Sequence, residues 1–482
     1  MLVRSRHGDV RRRPARRATR PELSERRERF APGWAIVKTH QAFRFALDPT
    51  RAHSQALASH CGAARFAFNW GLELVKKRLE ARRIDGETAV PWTLPALRWA
   101  WNRAKSEVAP WWRENSKEAY SSGLDGLAQA LGNFSAVRRG RRHGRSGFPR
   151  FRRRGRKESC RFTTGVIRID DDRHVILTRV GRLRTAEATG ALRRRLAMGT
   201  ARIMSATVSK EADRWFVSFT CEVVRAAPSG NCHGDTVGVD IGVLRLATLS
   251  TGAVMPGPRA LALSVSRLRK LQRAVSRRQK GSTRRRRAIF HLARVHRRVR
   301  DVRRDYLHKL TTHLAKSHGR VVIEDLNVLG MMASGRRTAV HSGQYVRAKA
   351  GLSRGLADAA LGRLRRMLTY KCGWYGSRLV IAPRFFASSR RCSACGQLRE
   401  DLSLSERVFL CPGCGFRIDR DLNAARNLVW WADANGDQVA ASAAETQNVR
   451  GEDVRPSSGW ADLGEARTEN GSEPAGMTGG PQ

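Results

Sequence analysis

Two pairs of cysteines in the C-terminal part of the chain constrain its fold more than any other feature of the sequence. Cys392 and Cys395 form one CxxC pair, Cys411 and Cys414 form a second, and 15 residues separate the two pairs. Each CxxC turn directs two thiolates at one ion, and two turns together supply a tetrahedron of sulfur ligands. Because four thiolates leave no open coordination position, the spacing predicts a structural Zn²⁺ in a zinc ribbon.

A glycine follows each pair, Gly396 and Gly415, at a place where the backbone often needs the left-handed conformation. The alternative, two redox-active pairs, lacks a thioredoxin-like context. The other five cysteines follow no disulfide framework, which favours a reducing compartment and buried, small apolar side chains. They are Cys61, Cys160, Cys221, Cys232 and Cys372.

The charge of the chain indicates a polyanionic partner. Among 482 residues, 92 Lys and Arg oppose 42 Asp and Glu, and the net charge of +50 would make a folded protein repel itself. Nucleic acid is the leading partner, and an anionic membrane surface is the alternative. The sequence has no apolar run of about 18 residues and no apolar stretch behind Met1. We therefore expect no membrane partner, no secretory signal and a cytoplasmic protein.

Basic residues concentrate in two runs. Residues 138–157 contain eleven basic residues and no acid, and residues 267–309 contain eighteen against two acids. A solvated helix face is the ordinary explanation of a charged run, but this imbalance favours contact with phosphates. Both ends of the chain lack apolar periodicity. Residues 1–30, with eleven Arg, predict a disordered basic arm, and residues 432–482, with nine acids and three Arg, predict a disordered acidic tail.

Hydrophobic periodicity predicts a multidomain protein of α/β class with an additional β-barrel. Alternation over residues 36–47 predicts a strand, helical periodicity runs from about 51 to 134, and alternation resumes between about 145 and 223. The simplest assembly is a small β-barrel with a helical insertion. Four tryptophans of the insertion either pack in a helical core, the favoured interpretation, or stack on unpaired bases. They are Trp99, Trp101, Trp111 and Trp112.

The region after Asp235 alternates strands and helices. Residues 237–242 and 244–249 predict a hairpin, and residues 319–325 predict a buried strand that ends in acids. A helix is expected over about 352–373, followed by a strand at 378–382. Before them, a long helix presents an apolar stripe opposite a face of arginines. The stripe comprises Leu292, Val295, Val299, Val302, Tyr306 and Leu310.

Three acids stand at the ends of predicted elements: Asp240, Glu324 and Asp421. An acid in an apolar strand is costly unless it is paired or binds a metal. Taken singly, Asp240 is explained as a turn residue, Glu324 as the partner of an Arg, and Asp421 as a helix N-cap. Together they would hold two divalent ions that activate water and stabilise the leaving oxygen of a phosphodiester. Hard oxygen ligands favour Mg²⁺ or Mn²⁺.

The segments around these acids resemble the three motifs of a RuvC-type nuclease, which has an RNase H-like fold. They read Val237-Gly-Val-Asp240-Ile-Gly, Val321-Val-Ile-Glu324-Asp-Leu-Asn and Asp419-Arg-Asp421-Leu-Asn-Ala-Ala. A four-cysteine ribbon just before the third motif resembles the TnpB proteins of insertion sequences and the related compact type V CRISPR effectors. Shorter segments agree with this resemblance, which covers about residues 35–430. They are Gly62–Trp70, Gly147–Arg152 and Tyr370-Lys371.

The resemblance implies an RNA-guided DNA endonuclease. Such a protein binds a guide RNA, recognises a short flanking DNA motif, forms an RNA–DNA heteroduplex and cleaves double-stranded DNA at one RuvC site by two-metal-ion hydrolysis. It implies catalytic and Mg²⁺-binding roles for Asp240, Glu324 and Asp421, with the neighbouring acids Asp325 and Asp419 as the alternatives. It also implies a prokaryotic, nucleoid-associated protein that acts as a monomer or dimer on one guide RNA. Whether a transposon end or a CRISPR array supplies that RNA stays open.

The resemblance further implies that the barrel is an oligonucleotide-binding-like wedge and that the chain is divided into domains. In order, we expect a disordered basic arm (1–30), the first part of a wedge β-barrel (31–50), a helical recognition domain (51–137), the second part of the wedge (138–232), a RuvC nuclease domain (233–388), a zinc ribbon that binds target nucleic acid (389–417), the third RuvC motif (418–431) and a disordered acidic tail (432–482).

Eleven residues are expected to contact nucleic acid. They are Arg65, Asn69, Arg150, Arg152, Arg153, Arg154, Arg284, Arg285, Arg286, Arg287 and Lys371. Three other functions compete with this prediction: a guided DNA-binding protein that does not cut, a transposase acting by strand transfer, and a zinc-containing nucleic-acid-binding protein without an active site. The position of the ribbon argues against the transposase, and the third alternative needs the three acids to be coincidental.

Overall fold

The computed structural model describes residues 36–142, 144, 146–155, 158–226, 235–333, 346–403 and 405–435. The predicted basic arm, Cys232 and residues 436–482 of the predicted tail lie outside the described residues. Within the described ranges, no helix is long and apolar enough to cross a membrane.

The first sheet joins strands from both sides of the helical segment. Its seven antiparallel strands lie in the order β2-β6-β7-β1-β5-β4-β3. They are β1 (Ile36–Asp48), β2 (Glu158–Phe162), β3 (Ile167–Ile169), β4 (His174–Leu177), β5 (Gly181–Thr185), β6 (Ala201–Glu211) and β7 (Arg214–Ala226). β1 pairs with β7 along its whole length, so the sheet is begun before the helices and completed after them. Its closure into a barrel stays a prediction.

The helices between β1 and β2 share one hydrophobic core with this sheet. They are α1 (Arg51–Asp85), α2 (Leu94–Val108) and α3 (Lys117–Arg138), and α4 (Gly190–Ala197) follows β5. Trp101 is buried and stacks on Tyr120 with ring centroids 5.0 Å apart, as the core interpretation predicted. Trp99 is exposed, with the guanidinium of Arg103 over its ring, so the core interpretation is wrong for this residue.

The second sheet is mixed, in the order β10-β9-β8-β11-β12. Its strands are β8 (Thr236–Asp240), β9 (Ala247–Leu249), β10 (Val254–Met255), β11 (Arg320–Glu324) and β12 (Arg378–Ala382). β8 and β9 form the predicted antiparallel hairpin, whereas β11 runs parallel to both β8 and β12. Parallel neighbours place the carboxyl ends of β8, β11 and β12 at the same edge.

Helices connect and cover the second sheet. They are α5 (Ala260–Arg277), α6 (Thr283–Ser317), α7 (Val328–Met332), α8 (Val346–Ala359), α9 (Leu361–Tyr375) and α10 (Arg420–Ala434). The single helix expected over about 352–373 is wrong, because Ala360 adopts the left-handed conformation (φ 54°) and ends α8 before α9 begins. The small ribbon contains the antiparallel strands β13 (Val408–Leu410) and β14 (Arg417–Asp419).

The predicted apolar stripe of α6 is partly wrong. Val302 is exposed, whereas Arg303 is buried and donates a hydrogen bond to the carbonyl oxygen of Ala357. The core-facing row advances by four residues, through Val295, Val299, Arg303 and Leu307, and this spacing passes over residue 302. Arg303 can lie on that face because its guanidinium reaches a backbone acceptor.

Ion pairs join α6 to the turn between β6 and β7. Asp213 lies 3.2 Å from Arg294 and 3.1 Å from Arg297. Glu211 lies 2.8 Å from Arg44 and also pairs with Arg300. Part of the arginine face of α6 therefore joins the two sheets through ion pairs.

A pH dependence of stability is expected from His308 on α6. Burial, followed by the positive charge of Lys371, lowers the pKa of His308 to about 4 from 6.5. The unfolded chain binds more protons between these values, so stability falls as the pH drops from 6.5 towards 4. His308→Gln should flatten this part of a plot of the free energy of unfolding against pH, measured by urea denaturation. An unchanged slope in the variant would contradict the assignment.

Gly238 in β8 permits the close approach of α10. An ideal Cβ on Gly238 would overlap the carbonyl oxygen of Ala425. We expect Gly238→Ala to lower the free energy of unfolding by about 1–3 kcal/mol, since the helix backbone must shift. Gly132→Ala in α3, whose Cβ would meet nothing within 4 Å, is the matched control and should be neutral or slightly stabilising. Equal stability losses in the two variants would contradict the packing argument.

Candidate active site

The ends of two parallel strands bring the first two predicted acids together. Asp240 ends β8 and Glu324 ends β11. Val322 is the register partner of Gly238, and continuing this register by two residues sets Glu324 beside Asp240. Both carboxylates are only partly exposed.

The third acid comes from the first turn of α10, which packs over β8. Asp419 caps this helix, because its Oδ1 accepts hydrogen bonds from the N–H groups of Asp421 at 3.0 Å and Leu422 at 3.2 Å. The cap role considered for Asp421 therefore belongs to Asp419, and Asp421 is left to face the strand ends. Arg245 lies 2.8 Å from Asp419 and 3.8 Å from Asp421.

Electrostatics indicate that the three acids form one cluster. Burial, then the negative charges of Asp421 and Glu324, raises the pKa of Asp240 to about 7. Burial also raises the pKa of Glu324, against the opposing effect of the Ser388 hydroxyl, which donates to its Oε1. A divalent cation bound between these carboxylates would offset the repulsion between their like charges.

The carboxylates are more widely spaced than the ligands of a single small ion. Among the described residues, the cysteine quartet is the one group of three or more His, Cys, Asp or Glu whose ligand atoms lie mutually within 4.8 Å. A pair of ions about 3.5–4 Å apart needs a wider set of ligands than one ion does. The oxygen chemistry and the charge of the cluster fit such a pair.

The two alternative acids are occupied by arginines. Asp325 pairs with Arg365 and, at 2.8 Å, with Arg384, and the hydrogen bond from Arg365 is the main cause that lowers the pKa of Asp325. Asp419 pairs with Arg245. The ordinary explanation considered for Glu324, a partner arginine, thus fits its neighbour Asp325 instead.

The four cysteines form a compact site. The Sγ atoms of Cys392 and Cys414 are 3.8 Å apart, and those of Cys395 and Cys411 are 3.5 Å apart. A tetrahedron with Zn–S bonds of about 2.3 Å has S–S edges of about 3.8 Å, so the donor set fits zinc.

Both knuckles use the predicted glycines. Gly396 has φ 81° and Gly415 has φ 69°, a conformation that favours glycine. The remaining cysteines that the structure describes are buried, as predicted: Cys61, Cys160, Cys221 and Cys372.

Two buried asparagines fasten α10 to the ribbon, and sequence reasoning did not select them. Asn423 donates to the carbonyl oxygen of Arg391 at 2.7 Å and accepts from the N–H of Ser393 at 2.9 Å. Asn427 donates to the carbonyl oxygen of Ser388 at 2.8 Å. The signal was their spacing of four residues, which places both amides on one face of the helix. Helix α10, which carries Asp421, is therefore linked to the ribbon and, through Ser388, to Glu324.

The residues predicted to contact nucleic acid divide into two groups. Six are exposed: Arg150, Arg153, Arg154, Arg284, Arg286 and Arg287. Arg65 and Arg285 are half-buried, and Arg285 donates to the carbonyl oxygen of Val275 at 3.2 Å. Asn69 and Arg152 bind each other, since the Asn69 amide donates to the Arg152 carbonyl oxygen at 3.0 Å and accepts from its N–H at 2.8 Å. The predicted contacts of Asn69 and Arg152 with nucleic acid stay predictions.

Lys371 is buried, and its predicted contact with nucleic acid is wrong. Its Nζ donates to the His308 carbonyl oxygen at 2.6 Å and to the hydroxyls of Thr311 and Thr312 at 2.8 and 2.7 Å. A lysine next to a tyrosine in a basic chain suggested an exposed cation, but these three acceptors compensate for its burial. Lys371 therefore joins α9 to α6.

Lys371→Ala should lower the free energy of unfolding by roughly 2 kcal/mol, since it leaves a cavity and an unpaired carbonyl group. We expect no change in affinity for RNA beyond about twofold, measured by filter binding. Arg286→Ala, at an exposed position, is the contrasting variant, and it should weaken RNA binding without loss of stability. A large loss of RNA affinity in the folded Lys371 variant would restore the original prediction.

By fold and site, the chain is a mixed α/β protein with a carboxylate cluster at its strand ends and a four-cysteine ribbon attached to the helix that completes the cluster. Family models match it in three places: "Probable transposase" over residues 218–335, "Cas12f1-like, TNB domain" over residues 362–428 and "Helix-turn-helix domain" over residues 39–83. These matches include Asp240, Glu324 and Asp421, with the four cysteines.

Curated relatives extend over most of the chain. A "Putative RNA-guided DNA endonuclease" of Mycobacterium tuberculosis is 42% identical over 412 residues, which are 82% of this chain and 86% of that protein. The InsQ protein of Escherichia coli K12, with the same description, is 31% identical and is covered to 92%. The chain belongs to the TnpB family. A Cas12f1–sgRNA–target DNA complex aligns with a TM-score of 0.42 and 12% identity over 82% of this chain and 99% of that one.

Proposed function

We propose that this chain is an RNA-guided DNA endonuclease. It binds a guide RNA, recognises a short motif in the flanking DNA, pairs the guide with the target strand and cleaves double-stranded DNA. The observation that carries the proposal is the cluster of Asp240, Glu324 and Asp421 at one sheet edge, in a chain that is 42% identical to a relative named for this activity.

The strand order supports an RNase H-like, RuvC-type domain. Three antiparallel strands, β10-β9-β8, continue into the parallel strands β11 and β12. We assign residues 233–388 and 418–431 to this domain and residues 389–417 to the ribbon. The first sheet supports a wedge made of residues 31–50 and 138–232, with residues 51–137 as the recognition helices.

Asp240, Glu324 and Asp421 would hold two Mg²⁺ or Mn²⁺ ions through their carboxylate oxygens. When bound, such ions activate a water molecule and stabilise the leaving oxygen of the phosphodiester. The residues of the chain prepare this site. The Ser388 hydroxyl donates a hydrogen bond that holds one carboxylate oxygen of Glu324. Asp419 caps α10 and so fixes the orientation of its first turn, which carries Asp421.

Contacts with guide and target are proposed for the exposed arginines. A guide–target duplex is recognised through its backbone and shape, while base pairing supplies the sequence. The net charge of +50 and the exposed cluster of Arg284, Arg286 and Arg287 at the start of α6 suit this task. The protein would act in the cytoplasm, on nucleoid DNA, as a monomer or dimer on one RNA.

The proposal that the protein is RNA-guided is tested by identifying the RNA that copurifies with it. After purification from its host in about 0.5 M salt, which suppresses weak phosphate contacts, sequencing should find one discrete RNA species encoded beside the gene. A random sample of cellular RNA would contradict the proposal. The transposase suggested by one family description is tested separately, since it predicts covalent joining of DNA ends where we expect cleavage alone.

A further inference from the structure

A short loop after β12 begins and ends at the candidate catalytic glutamate. Ala382 is the register partner of Glu324, and six residues later the hydroxyl of Ser388 donates to Glu324. Inside the loop, the Phe386 N–H donates to the Pro383 carbonyl oxygen at 3.0 Å, and the Ser388 N–H donates to the Phe386 carbonyl oxygen at 2.8 Å. The loop is therefore a closed turn fixed at both ends to the acidic cluster.

Two adjacent phenylalanines of this loop have opposite environments. Phe386 packs on α10, where its ring lies 6.4 Å from that of Trp430 and nearly parallel to it. Phe385 is 94% exposed and lies outside the hydrophobic clusters of the described residues. A single exposed apolar residue is ordinary on a protein surface, but one on a hydrogen-bonded loop that is tied at both ends to a candidate catalytic carboxylate is suited to binding substrate.

The surroundings of Phe385 suit a nucleotide strand. Arg384, its neighbour, is half-exposed and 2.8 Å from Asp325. Arg384 and Arg365 line a depression that also contains Glu324. Three residues of chain span at most about 11 Å, so the backbone of Phe385 lies within that distance of Ala382, the partner of Glu324. Arginine binds phosphate, and an exposed aromatic ring binds the face of any base.

We propose that Phe385 is a stacking site for one unpaired base of the DNA strand, next to the phosphate that is cut, with Arg384 facing the adjoining phosphate. The proposal rests on the proposed function and adds a base-binding subsite to it. Stacking does not distinguish bases, so the subsite would hold the strand in place without adding sequence specificity.

The test uses the full chain loaded with its guide RNA. Single-turnover cleavage is measured on matched DNA in which an abasic residue is placed at each position near the cut in turn. Phe385→Ala should lower the apparent affinity for the strand about tenfold, which corresponds to about 1.4 kcal/mol, and Phe385→Trp should retain it. Ile84→Ala, at a position that is 90% exposed in the last turn of α1, is the matched control and should be unchanged.

Combining the Phe385→Ala substitution with the abasic DNA excludes a merely structural role for Phe385. At one position, the abasic residue should lower the apparent affinity of the wild-type protein for the strand about tenfold, but it should not lower that of Phe385→Ala any further. Exchange of one base for another at that position should have little effect on either protein. Equal abasic penalties in both proteins, or full activity of Phe385→Ala, would overturn the proposal.

A binding readout separates this proposal from the proposed function. Asp240→Asn loaded with guide is mixed with DNA that carries 2-aminopurine at the same position, and stacking on Phe385 should quench its fluorescence. The double variant with Phe385→Ala should lose that quenching. Wild-type protein that quenches but does not cut would contradict the endonuclease alone, while cleavage without quenching would contradict the subsite alone.

Discussion

Replacing Asp240 with asparagine is expected to lower the rate of DNA cleavage by at least about a thousandfold and to leave the affinity for guide RNA unchanged. The Asp240 carboxylate lies close enough to Asp421 and Glu324 for their negative charges to raise its pKa. Loss of one ligand removes several kcal/mol of metal-ion stabilisation from the transition state. Cleavage of a guide-matched plasmid in Mg²⁺ measures the effect, and Asp48→Asn, at an exposed acid of β1, should cut normally.

Comparison of neighbouring acids sharpens this prediction. Glu324→Gln and Asp421→Asn should be as inactive as Asp240→Asn. Asp325→Asn and Asp419→Asn should retain cleavage within about tenfold, because these acids serve arginines and a helix cap, and asparagine caps a helix as well as aspartate does. An active Glu324→Gln or an inactive, folded Asp325→Asn would move the site to the second set of acids.

Loss of the zinc is expected to abolish cleavage as well, although the ion lies outside the acidic cluster. Structural zinc contributes roughly 10–16 kcal/mol to small domains, whereas the fully buried core of the described part of the ribbon is small and consists of Cys392, Leu402, Phe409 and Cys411. Without the ion this core should unfold. The hydrogen bonds that Asn423 and Asn427 donate to the carbonyl oxygen of Arg391 would then be lost, and with them the position of Asp421.

Cys395 offers a matched pair of variants because its side chain is exposed. Cys395→Ser should reduce bound zinc well below one equivalent and cleavage at least a hundredfold. Cys395→His should retain zinc, since three cysteines and one histidine also form a structural site. Zinc content by mass spectrometry and cleavage of the same plasmid are compared. A zinc-free protein that cuts at the normal rate would show that the ribbon does not position the active site.

The elements that carry strong local patterns were predictable from the sequence. The hairpin that contains Asp240, the strand that ends at Glu324 and the cysteine knuckles all follow from periodicity and spacing. The sequence does not determine which residues each acid contacts. Glu324 and Asp325 are adjacent acids, and only the register of β11 against β12 directs one to the cluster and the other to Arg365 and Arg384.

The mistakes have the same origin. Lys371 and Arg303 carry charges that predict exposure, but both are buried because acceptors on other elements reach them. The residue that separates α8 from α9 is Ala360, not a proline or a glycine, so the end of α8 could not be predicted from residue type. Ser388, Asn423 and Asn427 form ordinary polar hydrogen bonds, and their importance comes from the ribbon and helix that they join.

The central claim is that base pairing with a bound RNA selects the DNA that the acidic cluster cuts. The most direct measurement reconstitutes the protein with two guide RNAs that differ only in the pairing segment and incubates each complex with a plasmid that contains both matching sites. We predict that exchange of the guide moves the cut from one site to the other and that Asp240→Asn cuts neither. Cleavage at the same positions with either guide, or without RNA, would contradict the claim.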